Sequence, residues 1–294
     1  GGKTSIGDGS SWANTAKLIC NDSTISLGSG YTADYGLEVY QGGTFTGGGG
    51  NHTLGSLRVN AHADAICTLT DQTTTIDSER TSTNYGVIIY TAATFDNADG
   101  TITLTGPSSR IYFQDASPKP HNLTLNTSNT IDLGSNVSIE GALTITAGTL
   151  TTFNGSTHYA LTVTGHVSVD GTLTGNASAI SLGSLYINSG GTYSATSGTT
   201  TITSLNSSSG NRSFRLHTGG TLTHNNGKFL FNRNGDQFIG STPSDATITF
   251  YDLELTSTTS ASKQIRDMDL SVANDLTVGT NVNFSNESSV DLMT

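Results

Sequence analysis

The chain has 294 residues, of which only 12% are charged, and its formal net charge is −11 at pH 7. Its 12 Lys and Arg residues form no cluster along the sequence, so it lacks the basic patch that binding to a phosphate backbone requires. Thr, Ser, Asn and 35 Gly supply the polarity, and no stretch carries an apolar stripe at helical spacing. We therefore expect no nucleic-acid partner and an all-β or nearly all-β fold.

The sequence contains no apolar run near the ~18 residues that a membrane span needs, and no signal-peptide pattern opens it. We expect no membrane span. Because the chain begins at Gly1 rather than Met, we also expect a processed product or an excerpt of a longer polypeptide. The two cysteines, Cys20 and Cys67, could pair if their strands lie side by side, a point that the sequence leaves open.

The first predicted strands belong to a repeat in the N-terminal third. Tyr35-Gly-Leu-Glu-Val-Tyr40, followed by Thr44-Phe45, returns with unchanged internal spacing as Tyr85-Gly-Val-Ile-Ile-Tyr90, followed by Thr94-Phe95. An exposed tyrosine ring can stack on the apolar face of a sugar, so a host-surface glycan is a candidate ligand. The candidate ligand-binding residues are Tyr31, Tyr40, Tyr90 and Tyr112. At equivalent repeat positions, Tyr35 and Tyr85 are expected to form a ladder in the core or at a corner.

Two acidic segments follow in the same third. Asp77-Ser-Glu79, next to Arg80, places two carboxylates on one side of a strand, where a glycosidase pair would form if a neighbouring coil supplied the second wall. We favour a solvated loop, and we predict no catalytic residue.

Asp96-Asn-Ala-Asp99-Gly100 resembles half of a calcium loop but lacks the evenly spaced ligands and closing Glu of a complete one. A polar turn is the favoured interpretation, with Ca²⁺ at Asp96 and Asp99 as the alternative. No other cofactor is expected, because the seven histidines lack the short spacings of zinc sites.

A second repeat links the two halves of the chain. Gly43-Thr-Phe-Thr-Gly47 through Leu57-Arg-Val59 matches Gly171-Thr-Leu-Thr-Gly175 through Leu185-Tyr-Ile187 without a gap. The pattern Gly-Thr-apolar-Thr/Ser recurs from Gly100, Gly148, Gly191 and Gly220. Each intervening apolar-x-apolar triplet predicts a short strand with two inward side chains. These triplets are Leu123-Thr-Leu125, Leu143-Thr-Ile145, Leu161-Thr-Val163, Leu185-Tyr-Ile187, Leu253-Glu-Leu255 and Leu276-Thr-Val278.

Short strands that repeat every ~20 to 25 residues between Gly, Asn and Ser turns predict a parallel β-helix, a solenoid of stacked coils. At ~22 residues per coil and ~4.8 Å per step, we expect about thirteen coils, right-handed, in a single rod of roughly 60 Å over residues 1–294. The four prolines fall in two irregular stretches, so protruding loops are predicted near 107–121 and 232–246. An antiparallel β-sandwich is the alternative, because short strands with frequent turns suit it too.

Several segments of the second half carry a resemblance to known proteins. They are Leu185 through Gly198, Gly219 through Gly227, Phe229-Leu-Phe231, Asp236 through Gly240 and Phe250-Tyr-Asp-Leu-Glu-Leu255. These segments resemble repetitive β-strand surface proteins, as in marine phage virion structural proteins and large bacterial surface adhesins. The likeness covers most of residues 123–294 and, more loosely, the first 120. It implies exposure and adhesion or scaffolding, and it carries over no catalytic residue.

Three functions are therefore considered, all of them outside the cell. The first is a virion surface protein of a phage, such as a fibre, spike or decoration protein, and the second is a bacterial or archaeal adhesin or filament segment. The third is a polysaccharide-degrading β-helix enzyme, which rests on analogy of fold alone. Because an isolated solenoid end exposes unpaired strand edges, we expect a homo-oligomer or a larger surface assembly.

Overall fold

The computed structural model describes residues 4–7, 16–28, 36–79, 83–107, 110–114, 119–242, 246–286 and 292–293. Its strands stack as a parallel β-solenoid of about ten turns, which confirms the predicted fold class. Over these residues the structure contains no α-helix, and Ser207–Ser209 form a 3-10 turn. In the same part of the chain, no helix has the length and apolarity of a membrane span.

The chain divides into two compact units, the first comprising residues 1–141 with 147–150 and the second comprising 142–146 with 151–294. The strands up to residue 141 are β1 (Thr4–Ile6), β2 (Ala16–Ile19), β3 (Ile25–Leu27), β4 (Leu37–Val39), β5 (Gly43–Thr46), β6 (His52–Leu54), β7 (Leu57–Val59), β8 (Ile66–Thr68), β9 (Thr73–Ile76), β10 (Tyr85–Ile89), β11 (Thr94–Asp96), β12 (Thr101–Leu104), β13 (Arg110–Phe113), β14 (Asn122–Leu133) and β15 (Val137–Ile139).

The later strands are β16 (Leu143–Thr151), β17 (Leu161–Val169), β18 (Thr172–Thr174), β19 (Ile180–Ile187), β20 (Thr192–Ser194), β21 (Thr199–Ile202), β22 (Arg212–His217), β23 (Thr221–Thr223), β24 (Lys228–Phe231), β25 (Gln237–Thr242), β26 (Ala246–Leu255), β27 (Ala261–Arg266), β28 (Met268–Val278), β29 (Val282–Asn286) and β30 (Leu292–Met293). Residues of β16 belong to both units.

The core of the first unit is a set of apolar ladders. Strands β4, β7, β10, β13 and β14 pair in parallel, and their register places one apolar residue of each strand directly against the next. Every member of this ladder is fully buried, which stabilises the fold by roughly 1.5–3 kcal/mol per large side chain. Its members are Leu37, Leu57, Val87, Ile111 and Leu133. Since Leu37 and Val87 belong to the two copies of the tyrosine repeat and Leu57 lies between them, the second copy lies two coils after the first.

The second unit is built in the same way. Strands β17, β19, β22, β25 and β27 align a buried ladder of Val167, Leu185, Phe214, Ile239 and Ile265. Aromatic rings widen this core: the centroid of Phe214 lies 5.5 Å from that of Phe250, which lies 4.7 Å from that of Phe229. Tyr193 is also fully buried, and its hydroxyl lies 2.8 Å from Thr200 Oγ1.

Turns between strands explain the abundance of Asn and Gly. Asn176 and Asn225 adopt left-handed backbone conformations, and their side-chain amides donate to Thr151 Oγ1 at 2.9 Å and to Ala195 O at 2.7 Å. Each asparagine thereby supplies a tight turn and a bond to the preceding coil. Gly48 has a φ of 66°, and a Cβ there would lie 1.4 Å from the carbonyl oxygen of Asn21.

Several predictions need correction. The chain forms about ten turns rather than thirteen, because the number of residues per turn varies. The aligned residues Thr4 and Leu37 are much farther apart in the sequence than the aligned residues Val167 and Leu185. Extra residues in a turn lengthen a coil without moving its strands out of register. The named strand pairs are parallel, which excludes the antiparallel sandwich.

The two predicted loops also contain strands. Within the region near 107–121, β13 pairs with β10, and within the region near 232–246, β25 pairs with β22 and β27. Their alternating inward residues, such as Ile111 and Ile239, are fully buried, and that burial holds them in the sheet. The last predicted inward triplet keeps the register of the core, since Leu276 and Val278 align with the buried Leu253 and Leu255, although Leu276 is half-buried and Val278 is 41% exposed.

The cysteines do not pair. Both are free and buried. The register of β2, β5 and β8 aligns Leu18, Phe45 and Cys67, so Phe45 separates the coil of Cys67 from that of Cys20. Burial raises the pKa of the Cys67 thiol, which keeps the thiol protonated and unreactive.

The core of the second unit contains a lysine that the sequence pattern does not reveal. In β27 alternate residues point inward, and Lys263 occupies one of these positions with no exposed surface. Its ammonium donates to Arg233 O at 2.8 Å, Gly235 O at 3.1 Å and Gln237 Oε1 at 2.6 Å. All three protons are thereby bonded, which offsets part of the cost of burying the charge. Burial and, to a smaller extent, the charge of Arg233 lower the pKa of Lys263 from 10.5 to about 8, while the nearby Asp236 acts in the opposite direction.

This lowered pKa predicts a pH-dependent stability. Between pH 8 and 10.5 the unfolded chain retains a proton that the folded chain has lost, so the free energy of unfolding should rise with pH by up to about 1.4 kcal/mol per unit. Below pH 8 both states are protonated and this contribution has no slope. We expect urea unfolding, followed by circular dichroism, to show the rise in the wild type relative to Lys263→Met. A constant difference between the free energies of unfolding of the two proteins from pH 8 to 10.5 would contradict the lowered pKa of Lys263.

Candidate functional site

The outer surface of the first unit carries a column of side chains that alternate with the buried ladder. The register aligns Glu38 of β4, Arg58 of β7, Ile88 of β10 and Tyr112 of β13. Because neighbouring residues on a strand point to opposite faces, burial of the ladder forces this column outward. Residues far apart in sequence are thereby placed side by side.

Tyrosines gather around this column and form what we call the tyrosine face, defined as Tyr40, Tyr85, Tyr90 and Tyr112. The Tyr112 ring centroid lies 6.1 Å from that of Tyr85, nearly perpendicular, and 5.7 Å from that of Tyr90. All four side chains are half-buried, so their edges and faces remain partly open to solvent. Three of the predicted ligand-binding residues therefore lie on one surface, whereas Tyr31 lies outside the described residues.

A cavity of about 280 Å³ opens on the tyrosine face. It is lined by Thr83, Tyr85, Ile88, Tyr90 and Tyr112. Apolar walls with a few polar edges are typical of small-ligand sites, and a pyranose ring presents the apolar C–H face that such walls accept. The cavity therefore has the size and lining to hold a sugar residue.

A buried charge stabilises one side of this face. Glu38 is 2% exposed, accepts a hydrogen bond from the Tyr40 hydroxyl, and lies 3.9 Å from a guanidinium nitrogen of Arg58. The same guanidinium lies 5.9 Å from the ring centroid of Tyr90, within the range of a cation–π contact. Glu38 thus orients Tyr40 and Arg58, and Arg58 in turn restricts Tyr90.

An ion pair lies at the side of the tyrosine face opposite to Glu38. Arg110 and Asp132 align with Tyr85 through the register of β10, β13 and β14, and Arg110 Nε lies 3.7 Å from Asp132 Oδ2. Burial raises the pKa of the Asp132 carboxyl, while Arg110 lowers it. Carboxylate and guanidinium groups beside aromatic rings are suited to bond sugar hydroxyls.

Tyr85 does not lie in the core, one of the two places predicted for it, and its predicted ladder with Tyr35 stays a prediction. It lies on the outer surface, half-buried, and its ring covers Gly134, where an added Cβ would lie 2.7 Å from the ring. A glycine at this point of the column makes room for the ring. Its repeat partner Tyr35 lies outside the described residues.

The turn from Asp96 to Gly100, predicted as a polar turn with a calcium site as the alternative, is organised by its own side chains. Asp96 Oδ1 accepts the amide of Ala98 at 2.8 Å, and Asp99 Oδ1 lies 3.2 Å from His121 Nδ1. Between them, buried Asn97 donates to Gly100 O and accepts the amide of His121, which joins this turn to the next coil. Asp96 and Asp99 thus act in a polar turn. Within the described ranges, no group of three or more His, Cys, Asp or Glu residues could hold a metal ion.

The acidic pair Asp77 and Glu79 is half-buried beyond the end of β9. Here the amide of Ser78 donates to Gly55 O, and the amide of Gly106 donates to Ile76 O. The adjacent coils thus present Gly55 and Gly106 at this level, so neither of these two positions provides a carboxylate for a second wall. Arg80 lies outside the described residues.

Sequence reasoning missed Glu38, Arg58, Arg110 and Asp132 as members of the site. One signal was available in the sequence: the first copy of the tyrosine repeat has Glu38 where the second copy has Ile88. A charged residue at an outward position that is apolar in the other copy suggests that Glu38 has a role specific to its own coil. No family model, curated protein or solved structure matches this chain.

The buried pair predicts a non-additive effect on stability. Arg58→Met leaves the Glu38 carboxylate buried without its cationic neighbour, so we expect a loss of roughly 3 kcal/mol in the free energy of unfolding. Glu38→Gln combined with Arg58→Met should be more stable than Arg58→Met alone, because the neutral amide can still accept from Tyr40. Urea unfolding at neutral pH measures both. If the loss of stability in the double variant equals the sum of the losses in Glu38→Gln and Arg58→Met, then Arg58 does not compensate the charge of Glu38.

Proposed function

We propose that this chain is a structural and adhesive surface module, carried on the virion of a phage as a fibre, spike or decoration protein, and that its tyrosine face holds a host-surface glycan. The observation that carries the proposal is the convergence of Tyr85, Tyr90 and Tyr112 around one open cavity. The rings stand on hydrogen-bonded parallel strands, so little conformational entropy is lost when a sugar is bound.

The composition and the fold support the proposed extracellular placement. A parallel solenoid with 12% charged residues presents hydroxyls and amides to water, and its strand ladders suit persistence outside a cell. The resemblance to virion and adhesin β-repeats supports this placement. A bacterial or archaeal cell-surface adhesin or filament segment is the alternative owner, since its requirements are the same.

Assembly is part of the proposal. A solenoid ends in strands that lack a neighbour on one side, and such edges pair readily with other chains. We propose a homo-oligomer or a larger surface assembly in which partner chains or flanking sequence cover these edges. Catalysis is not part of the proposal, because adhesion requires only the aromatic surface and its polar border.

Glycan binding should depend on the tyrosine rings. We expect Tyr90→Ala and Tyr112→Ala each to weaken binding to a glycan identified on an array by about tenfold or more, because each removes a stacking surface. Tyr90→Phe keeps the ring and should bind nearly as well as the wild type. Isothermal titration calorimetry measures the affinities.

Tyr251→Ala is the matched control for this experiment, since it removes a half-buried tyrosine that stacks on His224 in the second unit. Its affinity should equal that of the wild type. Equal binding by wild type, Tyr90→Ala and Tyr112→Ala would overturn the assignment of the tyrosine face.

Immunogold labelling of the producing culture tests whether virus particles or cells carry the protein. An antibody against the purified chain should label virus particles, and excess free chain should abolish the label. Label on cell surfaces or on cell-attached filaments would instead support the adhesin. Label confined to the cytoplasm would contradict both surface functions.

A further inference from the structure

A second cavity, of about 460 Å³, opens on the second unit. Two loops border it: residues 203–211 connect β21 to β22, and residues 232–236 connect β24 to β25. Because β21 pairs with β24 and β22 pairs with β25, the two loops make the same connection in successive coils. The lining residues are Leu205 and Asn211 of the first loop, Arg233, Gly235 and Asp236 of the second, and Phe238 of β25.

The first loop is closed by its own hydrogen bonds. The amide of Asn206 donates to Arg212 O at 2.9 Å, and the Asn206 side chain accepts the amide of Ser208 at 3.1 Å. Asn211 has a φ of 61°, a left-handed conformation that asparagine tolerates. This residue is exposed, so the first loop presents a carboxamide, which is both donor and acceptor, beside the cavity.

The buried Lys263 anchors the second loop. Its ammonium donates to the carbonyl oxygens of Arg233 and Gly235, two of the residues that line the cavity. A buried charge costs stability, and an apolar residue often stabilises the same core position better. The position of Lys263 suggests what the charge contributes, because fixing the backbone of a binding loop before a ligand arrives lowers the entropic cost of binding.

Two side chains tie the same loop to the next coil. Asn234 Oδ1 accepts the amide of Thr258 at 2.9 Å, and Asp236 Oδ1 accepts the amide of Ser262 at 2.8 Å. Asp236 is exposed at the cavity, and a carboxylate has lone pairs on both of its oxygens. The Ser262 amide therefore orients Asp236 while leaving it able to accept a hydrogen bond from a ligand hydroxyl.

Arg233 brings hydrogen-bond donors to the same loop. Gly235 has a φ of 130°, and a Cβ there would lie 2.6 Å from Arg233 Nη1, so the guanidinium folds across this glycine. The same nitrogen donates to Asp236 O at 2.7 Å. The cavity thus has a cationic donor group and an anionic acceptor group within one short loop. Because their charges are opposite, these two groups favour a neutral polar ligand over an ion.

Phe238 forms an apolar wall of the cavity. Its ring is half-buried, and its centroid lies 3.5 Å from the guanidinium carbon of Arg266, a contact that restricts the ring. Leu205 adds a second apolar side chain to the lining. An aromatic wall accepts the C–H face of a pyranose ring, and carboxylate, guanidinium and amide groups pair with its hydroxyls.

We propose that this cavity binds a sugar residue of a neutral glycan, which gives the chain a second glycan site in addition to the tyrosine face. Phe238 stacks on the sugar ring, Asp236 accepts from its hydroxyls, and Arg233 and Asn211 donate to them. All of these residues belong to the second unit. The proposal therefore does not rest on the function proposed for the tyrosine face.

Calorimetry with neutral polysaccharides tests the proposal. The probes are dextran, mannan and galactan, titrated into the full chain and into the double variant Tyr90→Ala/Tyr112→Ala, which removes two rings of the tyrosine face. At least one probe should bind the double variant. Adding Asp236→Asn or Phe238→Leu to it should weaken that binding about tenfold, the effect of one hydrogen bond to a charged group or of one stacking surface.

Both substitutions are chosen to preserve the fold. Asp236→Asn keeps an oxygen that can accept the Ser262 amide, and Phe238→Leu keeps an apolar side chain. Circular dichroism and urea unfolding of each variant verify folding. Asp170→Asn is the matched control, because Asp170 is another exposed aspartate of the second unit and accepts a hydrogen bond from Asn188 at 3.0 Å. Its affinity should equal that of the double variant.

The design separates the two sites. If none of the probes binds the double variant, or if Asp236→Asn and Phe238→Leu bind as tightly as Asp170→Asn, the second site is wrong. Sugar binding that the tyrosine substitutions leave unchanged and that Asp236→Asn weakens would support this cavity and count against the tyrosine face.

An acidic probe tests the preference for a neutral ligand. Polygalacturonate should bind the double variant more weakly than the best neutral probe, because the Asp236 carboxylate opposes its carboxylates. Tighter binding of polygalacturonate that Arg233→Gln abolishes would contradict the proposed neutral ligand and assign an acidic polysaccharide instead.

Discussion

Everything in this structure depends on the in-register stacking of short parallel strands. One coil has too few apolar side chains to enclose a core, so its inward residues are buried only when the coils above and below present apolar residues at the same positions. Leu37, Leu57 and Val87 illustrate the rule: each is fully buried because the others lie against it. Hydrogen bonds between the strands hold this register along each unit.

The same register creates the outer surfaces. Every buried ladder is flanked by outward columns, and a column brings together residues that the chain separates by one or more coils. Glu38, Arg58 and Tyr112 share one such column in the first unit, and Tyr186, Arg215 and Arg266 share one in the second. Outward residues are not required for packing, so their identity can vary with function while the ladder remains constant. Glycines at Gly134 and Gly240 leave room in these columns for a neighbouring ring or guanidinium.

Polar groups inside the units have a different role. The ammonium of Lys263 is bonded to two backbone carbonyls and to Gln237, so a shift of β27 against β25 would leave the charge without acceptors. Asn97 bonds both its own turn and the next coil. An apolar ladder tolerates a slip of two residues because it would find another apolar partner, whereas these groups penalise it. They therefore contribute more to the choice of register than to the energy of the core.

Periodicity in the sequence determined the fold class. Alternating apolar residues required strands, and the gapless match between Gly43–Val59 and Gly171–Ile187 required equivalent coils, as β5 to β7 and β18 to β19 show. Inward positions such as Phe45 and Leu185, and the concentration of tyrosines in the first third, followed from the same pattern. These features are local, because a strand's inward face depends on residues close in sequence.

The tertiary structure alone decided which strands are neighbours across the coils. The number of turns, the separation of Cys20 from Cys67, the burial of Lys263 and the membership of the tyrosine face all depend on the length of each coil. Turn residues add to that length without changing the pattern of the strands. The alignment of one coil on the next is therefore set by packing and hydrogen bonding between them, which periodicity along the chain does not contain.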